Sequence, residues 1–346
     1  PTYVLAGYRK HDRRSNEAGI KYYLIGVLSS AVMLYGMSII YGVTGTTSLT
    51  GIAEKLGGNL GSTHTLVLAS ILLIVTGFAF KVSAVPFQFW APDTYEGAPV
   101  PVAAFLSVAS KAAGFAGLLQ LMFVAFIHQA DFWTPLFAAL AIATMTLGNL
   151  LAIQQREIVR LLAYSSIAQA GYMLLPFALA GHGVDRQAAS ATLLYILFYG
   201  VMNLGAFAVV IGAARERPGI LISDFAGMAR AAPALAVAMT VFMVSLAGIP
   251  PTGGFWAKFF IFRVAIEAGG IGVWLAGVMV VNSVIGLFYY LAVARQMVVV
   301  EGEPVTRRSP VLVTAVVLIA ATAVFVLGVF PSLFANFFPL SALAHP

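Results

Sequence analysis

Three lysines stand where lysine is expensive. Lys81, Lys111 and Lys258 each lie inside strongly apolar sequence, the first two within FAFKVSAVPFQFWAPDTYEGAPVPVAAFLSVASKAAGFAGL, residues 78–118. An ammonium at membrane depth is costly to keep for packing alone, so such a residue marks a candidate functional site. An amine taken out of water holds its proton less tightly and can both accept and release one. A row of such amines, joined by water and hydroxyls, would conduct protons. The plainer alternative is a structural ion pair that holds helices together. The chain has 13 Asp and Glu residues, and none falls at the centre of an apolar run. Either some lysines are neutral, or a carboxylate partner lies upstream of residue 1 or in another subunit.

Polar residues on the neighbouring runs could extend such a path. They are Tyr164, Ser165, Ser166 and Gln169, with Asn149, Asn203 and Asn282. Each serves equally well as an ordinary interhelical hydrogen-bonding group. Ser107, Ser110, Gly114 and Gly117 surround Lys111 with small side chains, which admit close packing, water or a polar partner. Lys21 follows Glu17 at the i,i+4 spacing of a favourable helix pair. It either joins the path or simply reaches back to the headgroups. His64, His128 and His182 fall at the ends of runs, where they could gate proton exchange or merely be solvated. No metal-ligand spacing, nucleotide-binding glycine pattern or nucleophile motif is present. The chain has no cysteine, which excludes disulfides, thiolate metal sites and cysteine-held iron–sulfur clusters.

The elements that must position these residues are membrane spans. Of 346 residues, 60% are hydrophobic and 9% charged, and the mean hydropathy is +0.94. Apolar runs long enough to cross ~30 Å of hydrocarbon recur along the chain, and without water they must be helices. The expected fold is therefore an all-α polytopic membrane protein. Residues 1–8 read as the tail of a helix that begins upstream. Nine spans follow, at 18–42, 64–90, 102–127, 132–153, 158–180, 188–214, 233–267, 271–294 and 310–337. A Gly/Thr/Ser-rich loop fills 43–63, and a hinge, APDTYEGAPVP, fills 91–101.

Counting Lys and Arg by alternate loops gives twelve against three. One side holds Arg9, Lys10, Arg13, Arg14, Arg156, Arg160, Arg215, Arg217, Arg230, Arg295, Arg307 and Arg308; the other holds Lys55, Arg186 and Arg263. The positive-inside rule makes the first side cytoplasmic, together with the 91–101 hinge, and puts the C-terminus outside. The net charge of +6 is thus spent on topology, with no nucleic-acid partner implied. Lys111 then lies about 15 Å below the cytoplasmic face, too deep to reach it.

Two spans have the wrong shape for a single rod. The 233–267 run would reach about 52 Å as one helix. Near its middle stand Pro250, Pro251, Gly253 and Gly254, which free the backbone. A broken helix is expected there, at 233–248 and 255–267. Pro86, close after Lys81, predicts a milder break in the second span. Irregular backbone at membrane depth survives only inside protein or along a wet cavity. VPFQFW (85–90) and IPPTGGFWAKFF (249–260) share Pro, Phe-Trp and a nearby Lys, five spans apart. An odd step reverses direction through the membrane, as an inverted repeat requires. The expected organisation is the remainder of one repeat at 1–130, a second five-helix repeat at 131–297, and a C-terminal helix at 298–346.

The run from Asp93 to Lys111 has the form D-x-Y-E-G-x-P-x-P-V-x-A-F-x-S-x-x-S-K. It resembles the signature of the antiporter-like membrane subunits of respiratory complex I, the NADH–quinone oxidoreductase. EAGIKYYLIG (17–26), RLLAYSSIAQAGY (160–172) and GIPPTGGFWAKFFIF (248–262) carry the resemblance along nearly the whole chain. It implies two inverted five-helix repeats, each with one broken helix, and a central polar axis of lysines. Lys81 and Lys258 match the broken-helix lysines, and Lys111 matches the connecting lysine. A family glutamate would fall just upstream of Pro1. The implied activity is proton translocation in a bacterial inner membrane, loading at Lys81, passing Lys111 and leaving by Lys258. The implied partners are other membrane-arm subunits, with subunits M and K as neighbours, and lipid. No cofactor is implied on this chain; FMN and iron–sulfur clusters are expected on partner subunits. The alternatives are a subunit of a related Na⁺/H⁺ (Mrp-type) antiporter, or a non-pumping scaffold.

Overall fold

The computed structural model describes residues 1–58, 60–214, 220–302 and 310–330. Fifteen α-helices follow one another among them: α1 Thr2–Ala6, α2 Arg13–Thr44, α3 Leu49–Leu56, α4 His64–Val82, α5 Trp90–Gly97, α6 Val100–Phe105, α7 Lys111–Gln120, α8 Ala130–Ile153, α9 Ile158–Leu174, α10 Asp185–Ala214, α11 Met228–Ala231, α12 Pro233–Ala247, α13 Gly253–Ala268, α14 Ile271–Val298 and α15 Val311–Val329. Eight helical stretches are long and apolar enough to cross a membrane. They meet the expected spans to within a few residues, except at the two breaks. Residues 331–337 of the ninth span lie outside the described residues, as do Arg215, Arg217, Arg307 and Arg308.

The second span ends early. Helix α4 stops at Val82, eight residues before its expected limit, and Ser83 closes it at φ 61°. An irregular segment with Pro86 follows. The expected hinge is not a loop but mostly the short helix α5, whose third residue is Pro92. Proline is tolerated there because a first-turn N–H has no partner within the helix. The 43–63 loop likewise holds a helix, α3, capped by Ser48, whose hydroxyl accepts from the Gly51 N–H. The third span runs through a π-helical turn, Leu106–Ser110, immediately before Lys111. Such turns recur at functional sites, and no residue pattern here announced it.

The break in the seventh span falls where the prolines and glycines put it. Helix α12 ends at Ala247, Gly248 turns at φ 93°, and α13 begins at Gly253. Pro250 and Pro251 are exposed on the chain, as is Pro86.

Helix α9 is the hub. In its span, Ile158–Leu179, 89% of the most apolar window is buried, against 22% for α2 and 28% for α15. It packs closely on α8 because Gly148 lies against Ala168 and Gly171 lies against Met145, where a Cβ would meet backbone. Small residues are the usual means of close approach between membrane helices. The residues presented by α9 are therefore inside the bundle by construction.

Candidate functional site

Lys111 opens α7 and is only 2% exposed. Its Nζ donates to the Ser166 carbonyl of α9 at 2.8 Å. Lys258, on α13, is 9% exposed and donates to the Ala247 carbonyl at 2.9 Å. That carbonyl is one of those left open where α12 ends. The Lys258 ammonium also stands 4.8 Å from the centre of the Tyr172 ring. Lys81 is the residue before the last of α4. It is half-buried, and no hydrogen bond or ion pair involves its side chain among the described residues. None of these three lysines meets a carboxylate among the described residues. The ion-pair explanation therefore has no support within them.

Next to the carbonyls that hold Lys111 and Lys258 lies a buried network of hydroxyls and amides. Ser165 and Tyr290 share a hydrogen bond of 2.6 Å. The Gln169 amide donates to Tyr290 Oη at 3.0 Å and to the Leu246 carbonyl at 3.1 Å. Tyr195 Oη donates to Gln169 Oε1. The Leu246 and Ala247 carbonyls, adjacent at the broken end of α12, are thus capped by Gln169 and Lys258. Alongside, Asn149 donates to Tyr172 Oη at 3.2 Å and to the Asn282 carbonyl at 3.1 Å, and accepts from Tyr289 Oη at 3.0 Å. Asn282 donates in turn to Thr146 at 3.2 Å. Buried polar groups without partners are rare, and this set satisfies itself across α8, α9, α10, α12 and α14.

Both breaks are held by side chains. At the first, the Trp90 indole donates to the Phe80 carbonyl at 2.9 Å, and Thr144 accepts from the Val85 N–H at 3.0 Å. At the second, Ser245 Oγ accepts from the Gly254 N–H at 3.0 Å. Gly253 forms the first turn of α13 beside it.

A second constellation lies at the basic end of the bundle. Lys21 reaches Glu17 at 2.6 Å and Asp93 at 2.9 Å. Arg160 meets Asp93 at 3.0 Å and Glu96 at 2.5 Å. Arg14 stands 3.6 Å from Glu96 and 3.8 Å from Glu157. Backbone pairing of Ile158 with Ile220 and of Ile222 with Arg156 pins Glu157 in place. Burial alone would push the Asp93 carboxyl up, but Lys21 and Arg160 outweigh it and hold the group below the usual range. Glu157 goes the other way: burial, and then the neighbouring Glu96, hold its carboxyl above the usual range.

The structure brings together Lys111, Ser165, Ser166, Gln169 and Lys258, with Asn149 and Asn282 beside them. Asn203 donates to Ser107 at 2.7 Å, one turn from Lys111. Lys21 and Tyr164 fall elsewhere: Lys21 is in the ion network, and Tyr164 lies 5.9 Å from the Arg160 guanidinium. His64 and His128 line one surface pocket with Asp131. His182 Nδ1 contacts the Ala180 carbonyl at 3.0 Å. The tyrosines 172, 195, 199, 289 and 290 escaped the sequence reading. Each is a phenol inside a span, and counting phenols with serines as hydroxyls would have found them.

Comparison with known proteins follows the same lines. The family model described as "NADH:quinone oxidoreductase/Mrp antiporter, TM" matches residues 1–286. NADH-quinone oxidoreductase subunit N of Trichlorobacter lovleyi is 45% identical over 340 residues, covering 97% of this chain and 68% of that protein. Across eight such relatives the chain spans from 59% to 70% of the relative's length. A chain in the structure of respiratory complex I from Thermus thermophilus with bound aureothin superposes with a TM-score of 0.81 at 33% identity, covering 97% of this chain and 71% of that one. One in the Mrp complex of Dietzia sp. gives 0.83 at 23% identity, covering 94% and 67%, which is a likeness of fold.

Proposed function

The chain belongs to the NADH:quinone oxidoreductase/Mrp antiporter family of membrane proteins, and from that premise we propose that it is a proton-translocating membrane-arm subunit of an NADH–quinone oxidoreductase, of the subunit N type. The observation that carries this reading is the pair of enclosed ammonium groups, Lys111 and Lys258, each held by a main-chain carbonyl next in sequence to a residue of one buried network of hydroxyls and an amide. A charge kept out of water without a counter-charge invites a second state in which the proton has left. Lys81, half-buried at the end of α4, is the third carrier.

Electron transfer belongs to partner subunits, which carry FMN and the iron–sulfur clusters; this chain has no cysteine to hold a cluster. Its neighbours are other membrane-arm subunits, with M and K the expected contacts, in a bacterial inner membrane. The two broken helices, α4 with its following segment and α12 with α13, correspond as halves of an inverted repeat at 1–130 and 131–297. The basic end, with Arg14 and Arg160, faces the cytoplasm. Each proton moved outward opposes about 2.3 kcal/mol per 100 mV of membrane potential.

Lysine-to-alanine substitution at 81, 111 and 258 in the assembled oxidoreductase tests the reading. Inverted membrane vesicles report NADH-driven acidification by dye quenching. Loss of acidification in an assembled complex, without recovery for the arginine variants, whose guanidinium cannot release its proton, is the expected result. Wild-type acidification with all three lysines removed would leave this chain a scaffold.

A further inference from the structure

Lys258 differs from Lys111 in one contact. Both ammonium groups donate to a main-chain carbonyl, that of Ser166 for Lys111 and that of Ala247 for Lys258. Lys258 also stands over an aromatic ring, 4.8 Å from the centre of Tyr172. The face of such a ring is negative, and it attracts a cation most strongly where water is excluded. Tyr172 and Lys258 are both buried. Among the described residues no carboxylate meets Lys258, so the negative surface that a side chain offers it is this ring.

The ring is fixed from several sides. Its hydroxyl accepts from Asn149 of α8 at 3.2 Å. Tyr195 of α10 stacks on it, with centroids 6.3 Å apart and the planes 24° from parallel. Gln169 lies one turn earlier on α9 and faces the same way. It accepts from Tyr195 and donates to the Leu246 carbonyl at 3.1 Å, next in sequence to the carbonyl that holds Lys258. Helix α9 thus grips the broken end of α12 with Gln169 and covers the ammonium with Tyr172. The ring cannot leave the lysine without giving up these contacts.

Building on the proposed function, we propose that Tyr172 is a positioning residue that distinguishes the charged state of Lys258 from the neutral one and holds the loaded lysine at the break between α12 and α13. The ring face attracts the ammonium and has no such pull on a neutral amine. Release of the proton therefore requires the ammonium to give up both the Ala247 carbonyl and the ring.

The titratable groups nearest Lys258 are phenols. Helix α9 brings Tyr172, with Tyr164 and Arg160 two and three turns before it. Helix α10 brings Tyr195 and Tyr199, with Asp185 and Arg186 in its first turn. Helix α14 brings Tyr289 and Tyr290, with Arg295 in its last turn. Helices α12 and α15 bring none, nor does the turn Leu175–Leu179. On α13 itself, Arg263 and Glu267 pair with each other at 2.6 Å, and both are exposed.

The test is the pH profile of NADH-driven acidification by the assembled oxidoreductase in vesicles, with Lys258→Met as reference. Acidification falls at high pH once Lys258 no longer loads. Tyr172→Leu removes the ring, so the ammonium is less favoured and this limb moves to lower pH, by about one unit. Tyr172→Phe, which restores the ring, is expected to return the limb toward the wild-type position; Asn149 keeps Asn282 as its partner in that variant. Phenylalanines carrying successively more ring fluorines at position 172 keep the ring's shape and weaken its negative face. They are expected to move the limb stepwise to lower pH, which a merely structural ring would not do. The same limb across the fluorinated series overturns the role of Tyr172 and leaves the proposed function standing. The series also decides the matter if Tyr172→Leu fails to assemble. Wild-type acidification in Lys258→Met overturns the function proposed for Lys258 itself.

Discussion

At the scale of residues, the account depends on which groups are satisfied and by what. Tyr290 Oη is shared by Ser165 and Gln169, so Tyr290→Phe strands two buried partners at once. Such a loss costs about 1–3 kcal/mol for each group left unpaired, so a clear drop in melting temperature is expected. An unchanged melt would mean that the network is loosely made. The carboxylates at the basic end give signed expectations. Asp93 is held low by Lys21 and Arg160 against the opposing effect of burial. Its contribution is present above its unfolded value and is lost as pH falls through the folded one. Asp93→Asn therefore lowers the melting temperature at pH 7, by a margin that narrows as the pH falls below about 4. Glu157 is held high, by burial and then by Glu96, so the fold is opposed once Glu157 ionises. Glu157→Gln should melt no lower than the parent at pH 7, and any gain should shrink on acidification. Opposite signs for two neighbouring carboxylates are hard to obtain from a nonspecific effect of charge removal.

At the scale of elements, the break between α12 and α13 is where sequence and geometry agree best. Gly248 sits at φ 93°, and a Cβ there would lie 2.8 Å from Lys258 Cδ. Gly248→Ala both strains the turn and displaces the lysine, so a loss of about 1–3 kcal/mol is expected along with weakened pumping. Gly277, inside α14, has open space at its Cβ position, and Gly277→Ala should be neutral or mildly stabilising by the same melt. This break was legible because prolines and glycines interrupt an overlong apolar run. Lys111 and Lys258 were legible because charge in hydrocarbon stands out. Pro86 marked the break in the second span, but not that α4 ends as early as Val82, because Ser83 adopts a left-handed conformation that its sequence does not demand. Helix α5 was hidden because a polar stretch with proline reads as a loop. The π-helical turn before Lys111 has no residue signature, and the phenols of α10 and α14 pass for ordinary apolar bulk.

At the scale of the whole molecule, the bundle encloses α9 and leaves α2 and α15 largely open, as befits a chain that meets lipid and other subunits on its outer faces. The likeness to an Mrp subunit is one of fold, and an Na⁺-coupled relative would need sodium where this chain should not. Replacing Na⁺ by K⁺ is expected to leave NADH-driven acidification unchanged, and a strict sodium requirement would favour the antiporter. Enclosed lysines, carbonyl partners and the joining network together form one claim: protons cross the membrane through this chain by way of Lys111 and Lys258. The most direct measurement is the number of protons moved per electron by the purified complex in liposomes, with Lys111→Met and Lys258→Met combined. The account predicts that quinone reduction continues while fewer protons move per electron. An assembled complex with an unaltered ratio would contradict it.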